Sequence, residues 1–238
     1  MTKLIFFDTE TTGNTEKDFL VQIAYKSGDG SFCSLYKPEI KIPPEASAVH
    51  HITNKMVADK STFKESSDQP IIKKLFEDKD SVVIAHNAPF DLMIIKKEDI
   101  EPKNFICTLR VIRHLDMEGK IERYNLQYLR YLLDLEVEAQ AHDALGDVLV
   151  LEKLFIYLKN KMIKDEKLNE NQVIEKMIEI SSHPSLLRAF NFGKHLGKKI
   201  EDVAKVDRGY LEWLLAQKQA SDQIDEDWIY TLKHHLGK

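Results

Sequence analysis

Apolar and polar positions change their spacing several times along the chain. Lys3-Leu4-Ile5-Phe6-Phe7 is a short apolar run that stops at Asp8, the pattern of a buried strand. Phe19 to Lys26 and Ser31 to Tyr36 predict two more strands, and Ser27-Gly28-Asp29-Gly30 between them predicts a hairpin turn. Pro38, Pro43 and Pro44 predict a loop. Residues 66–78 predict a helix and Ser81-Val82-Val83-Ile84-Ala85 a buried strand. Helical spacing follows over about 88–98, 108–117, 124–134 and 143–163. Strands first, then strands alternating with helices, indicate an α/β layer structure with an antiparallel hairpin and some parallel pairing.

From Lys159 onward the pattern loses its large apolar residues. Lys164-Asp165-Glu166-Lys167-Leu168-Asn169-Glu170-Asn171 predicts a solvated helix end running into a linker. After about residue 183 apolar spacing resumes, with helical stretches at Tyr210 to Leu215 and Trp228 to Leu236. The expected division is a main domain over 1–162, a charged helix or linker over 163–182, and a small α-rich domain over 183–238.

Composition narrows the class. Of 238 residues, 43% are hydrophobic and 31% charged, enough apolar material for a full core and too much for intrinsic disorder. No apolar run approaches the ~20 residues of a membrane helix, and the N-terminus lacks the apolar core of a secretory signal. Cys33 and Cys107 are the two cysteines. They exclude a disulfide framework and suit a reducing, cytoplasmic setting. The net formal charge is −5. A protein that coats nucleic acid non-specifically would be basic. A nucleic-acid substrate therefore requires local contacts, with bound cations supplying positive charge.

Three segments carry candidate chemistry. In Phe7-Asp8-Thr9-Glu10-Thr11-Thr12-Gly13 an apolar strand runs into carboxylates at i and i+2, which share a side if the strand continues. Two such acids repel unless a cation sits between them. In His86-Asn87-Ala88-Pro89-Phe90-Asp91, Pro89 suits the first turn of a helix and Asp91 lies just inside it. In Ala141-His142-Asp143-Ala144-Leu145-Gly146-Asp147, Asp143 suits an N-cap, with His142 before it and Asp147 one turn inside. Each has a plain alternative: a polar strand end, an acid on a helix dipole, or a surface histidine beside a capped helix. Taken together, Asp8, Glu10, Asp91 and Asp147 form an all-oxygen set suited to Mg²⁺ or Mn²⁺ rather than zinc. Two such ions, roughly 3.5–4 Å apart, can clamp the attacking and leaving oxygens of a phosphodiester. A histidine can take a proton from the attacking water near neutral pH.

These segments resemble the signature of the DEDDh 3′→5′ exonucleases, a superfamily that includes polymerase proofreading subunits, oligoribonuclease and ribonuclease T. The resemblance covers about residues 1–160. It implies a ribonuclease H-like fold, a five-stranded mixed sheet flanked by helices, with the small C-terminal α-rich domain in addition. It also implies that Asp8, Glu10, Asp91, His142 and Asp147 are catalytic, with the four acids holding two Mg²⁺ or Mn²⁺ ions. Ala48-Val49-His50-His51-Ile52-Thr53 resembles the segment lining the 3′-nucleotide pocket. Thr9, Thr11, His51, Asn87 and Phe90 are then candidate nucleotide contacts, with plain core or loop packing as the alternative.

The C-terminal segment adds a second resemblance. His183-Pro184-Ser185-Leu186-Leu187, Phe190-Asn191-Phe192-Gly193-Lys194-His195-Leu196-Gly197-Lys198-Lys199 and Asp202 to Leu214 resemble, in order, the tail of the bacterial exodeoxyribonuclease X family. This implies a DNA substrate digested from 3′ ends to 5′-mononucleotides. Residues 188–218 hold seven basic and four acidic side chains, against −5 for the whole chain. Lys194, Lys198 and Lys199 are possible DNA contacts, and Phe190 and Phe192 could stack on bases or form a core. Two alternatives stay open: an RNA 3′-end trimmer of the same superfamily, and a non-catalytic nucleic-acid-binding module.

Overall fold

The computed structural model describes residues 2–137, 144–222 and 225–238. Strands β1 (Lys3–Thr11), β2 (Leu20–Ser27) and β3 (Gly30–Leu35) form an antiparallel meander. β4 (Ser81–Ala85) pairs parallel with the other edge of β1, and β5 (Phe105–Cys107) pairs parallel with β4. The order is β3-β2-β1-β4-β5, a mixed five-stranded sheet.

Alternation along β1 feeds two cores. Ile5 and Phe7 pack on one face with residues of α2 (Asp68–Phe76) and α3 (Ala88–Lys97), Phe7 meeting Phe76 edge-on at 5.2 Å. Phe6 packs on the other face with α4 (Thr108–Leu115), α5 (Leu126–Leu132), α6 (Ala144–Glu166) and α7 (Glu170–Ser181), meeting Phe155 of α6 at 5.3 Å. β1 outruns β4. Its pairing with β4 ends at Phe6↔Ile84, whereas its pairing with β2 continues to Thr11↔Leu20. Residues 8–11 therefore project past one neighbour, where side chains from other elements can reach them.

Two expectations change. Pro44 opens a short helix, α1 (Pro44–His50), instead of continuing a loop, because a proline at the first helical position sacrifices no internal hydrogen bond. The segment expected to be a charged helix or linker holds a packed helix rather than a solvated one: α7 begins with a full capping box between Asn169 and Gln172. Its Val173 and Met177 are fully buried. Ile174, Ile178 and Ile180 pack beside them, but Glu175, Lys176 and Glu179 interrupt the apolar stripe in the sequence. α7 also protects the sheet edge: Ser181 Oγ accepts from the Cys107 N–H of β5 at 2.8 Å.

Residues after 183 form a separate small core around Phe190, Leu211, Trp228 and Leu232, built by α8 (Ile200–Val206), α9 (Arg208–Ala220) and α10 (Glu226–Leu236). Phe190 is 1% exposed, so it is core and offers no stacking face. The joint to the main domain is ionic. Buried Arg110 of α4 donates to Glu226 at 2.6 Å and lies 3.4 Å from Asp227, which Arg113 also engages. Asp227 further accepts from the Ser185 N–H at 2.8 Å. Asp227→Ala leaves two nearly buried guanidiniums short of a counter-charge, and is expected to destabilise the protein by about 3 kcal/mol. Urea unfolding measures this; a change under about 0.5 kcal/mol would show that Glu226 and water compensate. Among the described residues, no helix is long and apolar enough to cross a membrane.

Candidate active site

Asp8 and Glu10 lie on the face of β1 that turns to α6, and Asp147 lies in the first turn of α6. One carboxylate oxygen from each of the three falls within 4.8 Å of the others. Strand alternation sets the first two side by side, and the packing of α6 on β1 brings in the third. Three carboxylates at this separation could hold a cation, since they offer hard, anionic oxygens converging on one point. Gln127 of α5 donates its amide to Asp147 Oδ1 and fixes that carboxylate. Gln22, which faces Glu10 across the β1–β2 ladder, accepts from the Ala144 N–H at 3.4 Å and ties the start of α6 to the sheet.

Asp91 approaches from α3, through the gap left where β4 ends. It stands apart from the three-carboxylate group. Its Oδ1 accepts from the Thr9 N–H at 3.1 Å and from the Thr9 hydroxyl at 2.7 Å. Burial pushes its carboxyl up to about 7, against the lowering effect of the two Thr9 bonds. A cation beside it would pull it back down. His142 lies outside the described residues.

The remaining sequence candidates are placed as follows. Thr9 and Thr11 point inward, to Asp91 and to the Gly13 carbonyl. His51 is exposed in a left-handed conformation at the end of α1, with φ 62°. Its neighbour His50 is buried instead, and its Nε2 lies 3.2 Å from the Thr11 carbonyl. Asn87 and Phe90 line a cleft of about 610 Å³ that also touches Asn14, Arg113, Tyr124 and Asn191. The acids themselves are not among its lining residues, but Phe90 adjoins Asp91 and Leu126 adjoins Gln127. Lys198 and Lys199 are exposed. Lys194 is paired with Asp207 at 2.7 Å and lies over the Tyr210 ring at 4.8 Å.

Sequence reasoning missed Gln22, Gln127, His50 and Asp18. Gln22 had a signal, a polar residue inside the apolar run Leu20-Val21-Gln22-Ile23-Ala24. Asp18 organises the loop after β1, accepting from Thr12 Oγ1 and from the Thr15 N–H, both at 2.9 Å. Its carboxylate also occupies the space a Cβ on Gly13 would need, at 2.6 Å, which explains the glycine.

His86 carries a pH signature. Its Nε2 donates to the Tyr124 carbonyl at 2.6 Å and its Nδ1 faces the Thr108 hydroxyl at 2.9 Å. Burial lowers its pKa to about 4. The unfolded chain takes up this proton near 6.5. The contribution is therefore complete above about pH 6.5 and is lost as pH falls towards 4, at up to about 1.4 kcal/mol per pH unit. Urea unfolding at pH 7 and pH 5 should show a smaller acid loss in His86→Gln than in wild type; equal losses would place the titration elsewhere.

Comparison with known proteins identifies the family. Residues 5–155 match the family described as Exonuclease, and residues 190–219 match the Exodeoxyribonuclease X-like C-terminal family. Over 98% of both chains, the sequence is 32% identical to exodeoxyribonuclease 10 of Escherichia coli K12. This chain belongs to the 3′→5′ exodeoxyribonuclease family. The enzyme is also 32% identical to the DNA polymerase III epsilon subunit of Treponema pallidum, over 63% of this chain and 73% of that one. A solved structure of exonuclease X with 5′-overhanging duplex DNA superposes with a TM-score of 0.60 and 28% identity, covering 75% of this chain and 99% of that one. E. coli exonuclease I with a dA16 oligonucleotide shares the fold at a TM-score of 0.56 and 18% identity, over 74% of this chain and 43% of that one. The ribonuclease H-like sheet expected from the sequence is thus the fold of the family, and the family depends on divalent metal.

Proposed function

We propose that the enzyme hydrolyses DNA phosphodiesters from 3′ ends to 5′-mononucleotides, using two Mg²⁺ or Mn²⁺ ions per site and His142 as general base. The observation that carries the metal site is the convergence of Asp8, Glu10 and Asp147 oxygens within 4.8 Å. Those three residues and Asp91 would hold the ions. Bound there, divalent cations supply Lewis-acid polarisation of the scissile phosphate and stabilise the charge that develops on it.

The chain's own groups supply the rest. Gln127 orients Asp147, and Thr9 orients Asp91 with two hydrogen bonds. Asn87 and Phe90 offer a polar edge and an aromatic face in the cleft to the terminal nucleotide. His142 removes the proton of the attacking water, and its neutral form is the active one. Lys198 and Lys199 contact DNA in this reading, while Lys194, held by Asp207 and Tyr210, shapes the turn that carries them. The two cysteines, far apart in sequence, suit a reducing cytoplasm.

The test is digestion of end-labelled single- and double-stranded DNA, and of RNA of the same sequence, with Mg²⁺ and with EDTA. Mononucleotide release from DNA 3′ ends, lost in EDTA, is the expected result. Faster digestion of RNA would move the substrate to RNA ends. Binding without digestion would leave a non-catalytic module.

A further inference from the structure

We infer that the groove between the two domains is a binding track for the phosphate backbone of the DNA strand leading away from the scissile end. The inference rests on the exodeoxyribonuclease reading and extends it to a surface that the C-terminal domain half builds.

A second cleft, of about 570 Å³, lies between the Gly119–Tyr124 loop and the segment from Leu186 to Gly197 that opens the C-terminal domain. It shares Arg113, Tyr124 and Asn191 with the cleft that holds Asn87 and Phe90, so the two clefts adjoin. The charge of its lining is opposite to that of the protein. Lys120, Arg123 and Arg188 line it against Glu122 among its described lining residues, while Arg113 is already paired with Asp227; the adjoining first cleft instead carries Glu16, Asp225, Glu226 and Asp227 beside Arg110 and Arg113. An acidic exonuclease needs local positive charge to hold a polyanion, and in this second cleft Lys120, Arg123 and Arg188 supply it.

The groove is also built to keep its shape. Asp116 accepts from the Lys120 and Ile121 N–H groups, both at 2.9 Å, and from the Tyr124 hydroxyl at 2.6 Å. Those bonds hold the loop that presents Lys120 and Arg123. The opposite wall, Leu187 to Asn191, is fixed to the main domain through Ser185, Asp227 and Arg113. Arg123 and Arg188 are exposed, so their guanidiniums can meet phosphates without disturbing either core.

The test pairs Arg123→Glu/Arg188→Glu with a control that changes charge equally at the far end of the sheet, Lys74→Glu/Lys79→Glu. Two substrates are used: a labelled 20-mer DNA, and the p-nitrophenyl ester of thymidine 5′-monophosphate, which is too small to reach the groove. The groove variant should hydrolyse the ester like wild type. On the 20-mer its KM should rise roughly tenfold, and without metal the salt dependence of DNA binding should flatten by about 0.7 for each phosphate that is no longer neutralised. The control should keep wild-type values. An unchanged KM and salt slope on the 20-mer would overturn the track, as would an equal effect in the control. If the charge reversal lowers ester hydrolysis, Arg123→Gln/Arg188→Gln replaces it, with the same readouts at smaller size. If wild type hydrolyses neither substrate, the exonuclease reading fails. DNA binding in EDTA then decides the groove by itself: weakened binding in the groove variant alone supports it, and equal binding in all three proteins overturns it.

Discussion

Asp8→Ala is expected to reduce DNA cleavage by about 10³-fold or more, since divalent cations contribute several kcal/mol of transition-state stabilisation in such sites. An Asp8 oxygen stands within 4.8 Å of oxygens from Glu10 and Asp147, so its loss opens the proposed cation site. The same closeness predicts the effect on stability. Without metal the three carboxylates repel one another, and removing one relieves that repulsion. Melting in EDTA should therefore stay equal or rise, while calorimetric Mn²⁺ titration shows weakened binding. A clear fall in metal-free stability with cleavage retained would make Asp8 a structural residue.

His142→Ala is expected to slow the chemical step by about 10²–10⁴-fold, the range of general base catalysis, with metal and DNA binding nearly intact. The wild-type rate should rise with pH as the histidine loses its proton, and the variant should lose that rise. Asp147→Ala, in contrast, should weaken metal binding as well. Single-turnover cleavage at saturating Mn²⁺, beside metal titration, separates the two. Cleavage by His142→Ala at near wild-type rate would make the histidine a bystander. Metal affinity lost as badly as in Asp147→Ala would make it a ligand, and the site would no longer be all oxygen.

The mixed α/β architecture and the acidic residues were readable in the sequence because both depend on short-range pattern. Strand alternation places Asp8 and Glu10 on one side of β1 without any knowledge of the fold. The run Ser81 to Ala85 shows a strand buried on both faces, and the order of the C-terminal motifs marks the family. Long-range partners left no such trace. Gln127 and Asp147 are twenty positions apart, and only the packing of α5 on α6 brings them together. The Thr9–Asp91 bonds exist because β4 stops short of β1, a fact of strand pairing rather than composition. α7 was hidden because Glu170, Glu175, Lys176 and Glu179 interrupt its apolar residues, of which only Val173 and Met177 are fully buried. The inter-domain groove depends still more on tertiary structure. Lys120, Arg123 and Arg188 come from segments about 65 positions apart, and none of them stands out singly. Local spacing determined which residues could do chemistry; the pairing of strands and the docking of α10 on α4 decided which of them meet, because proximity between distant residues is a property of the packed chain alone.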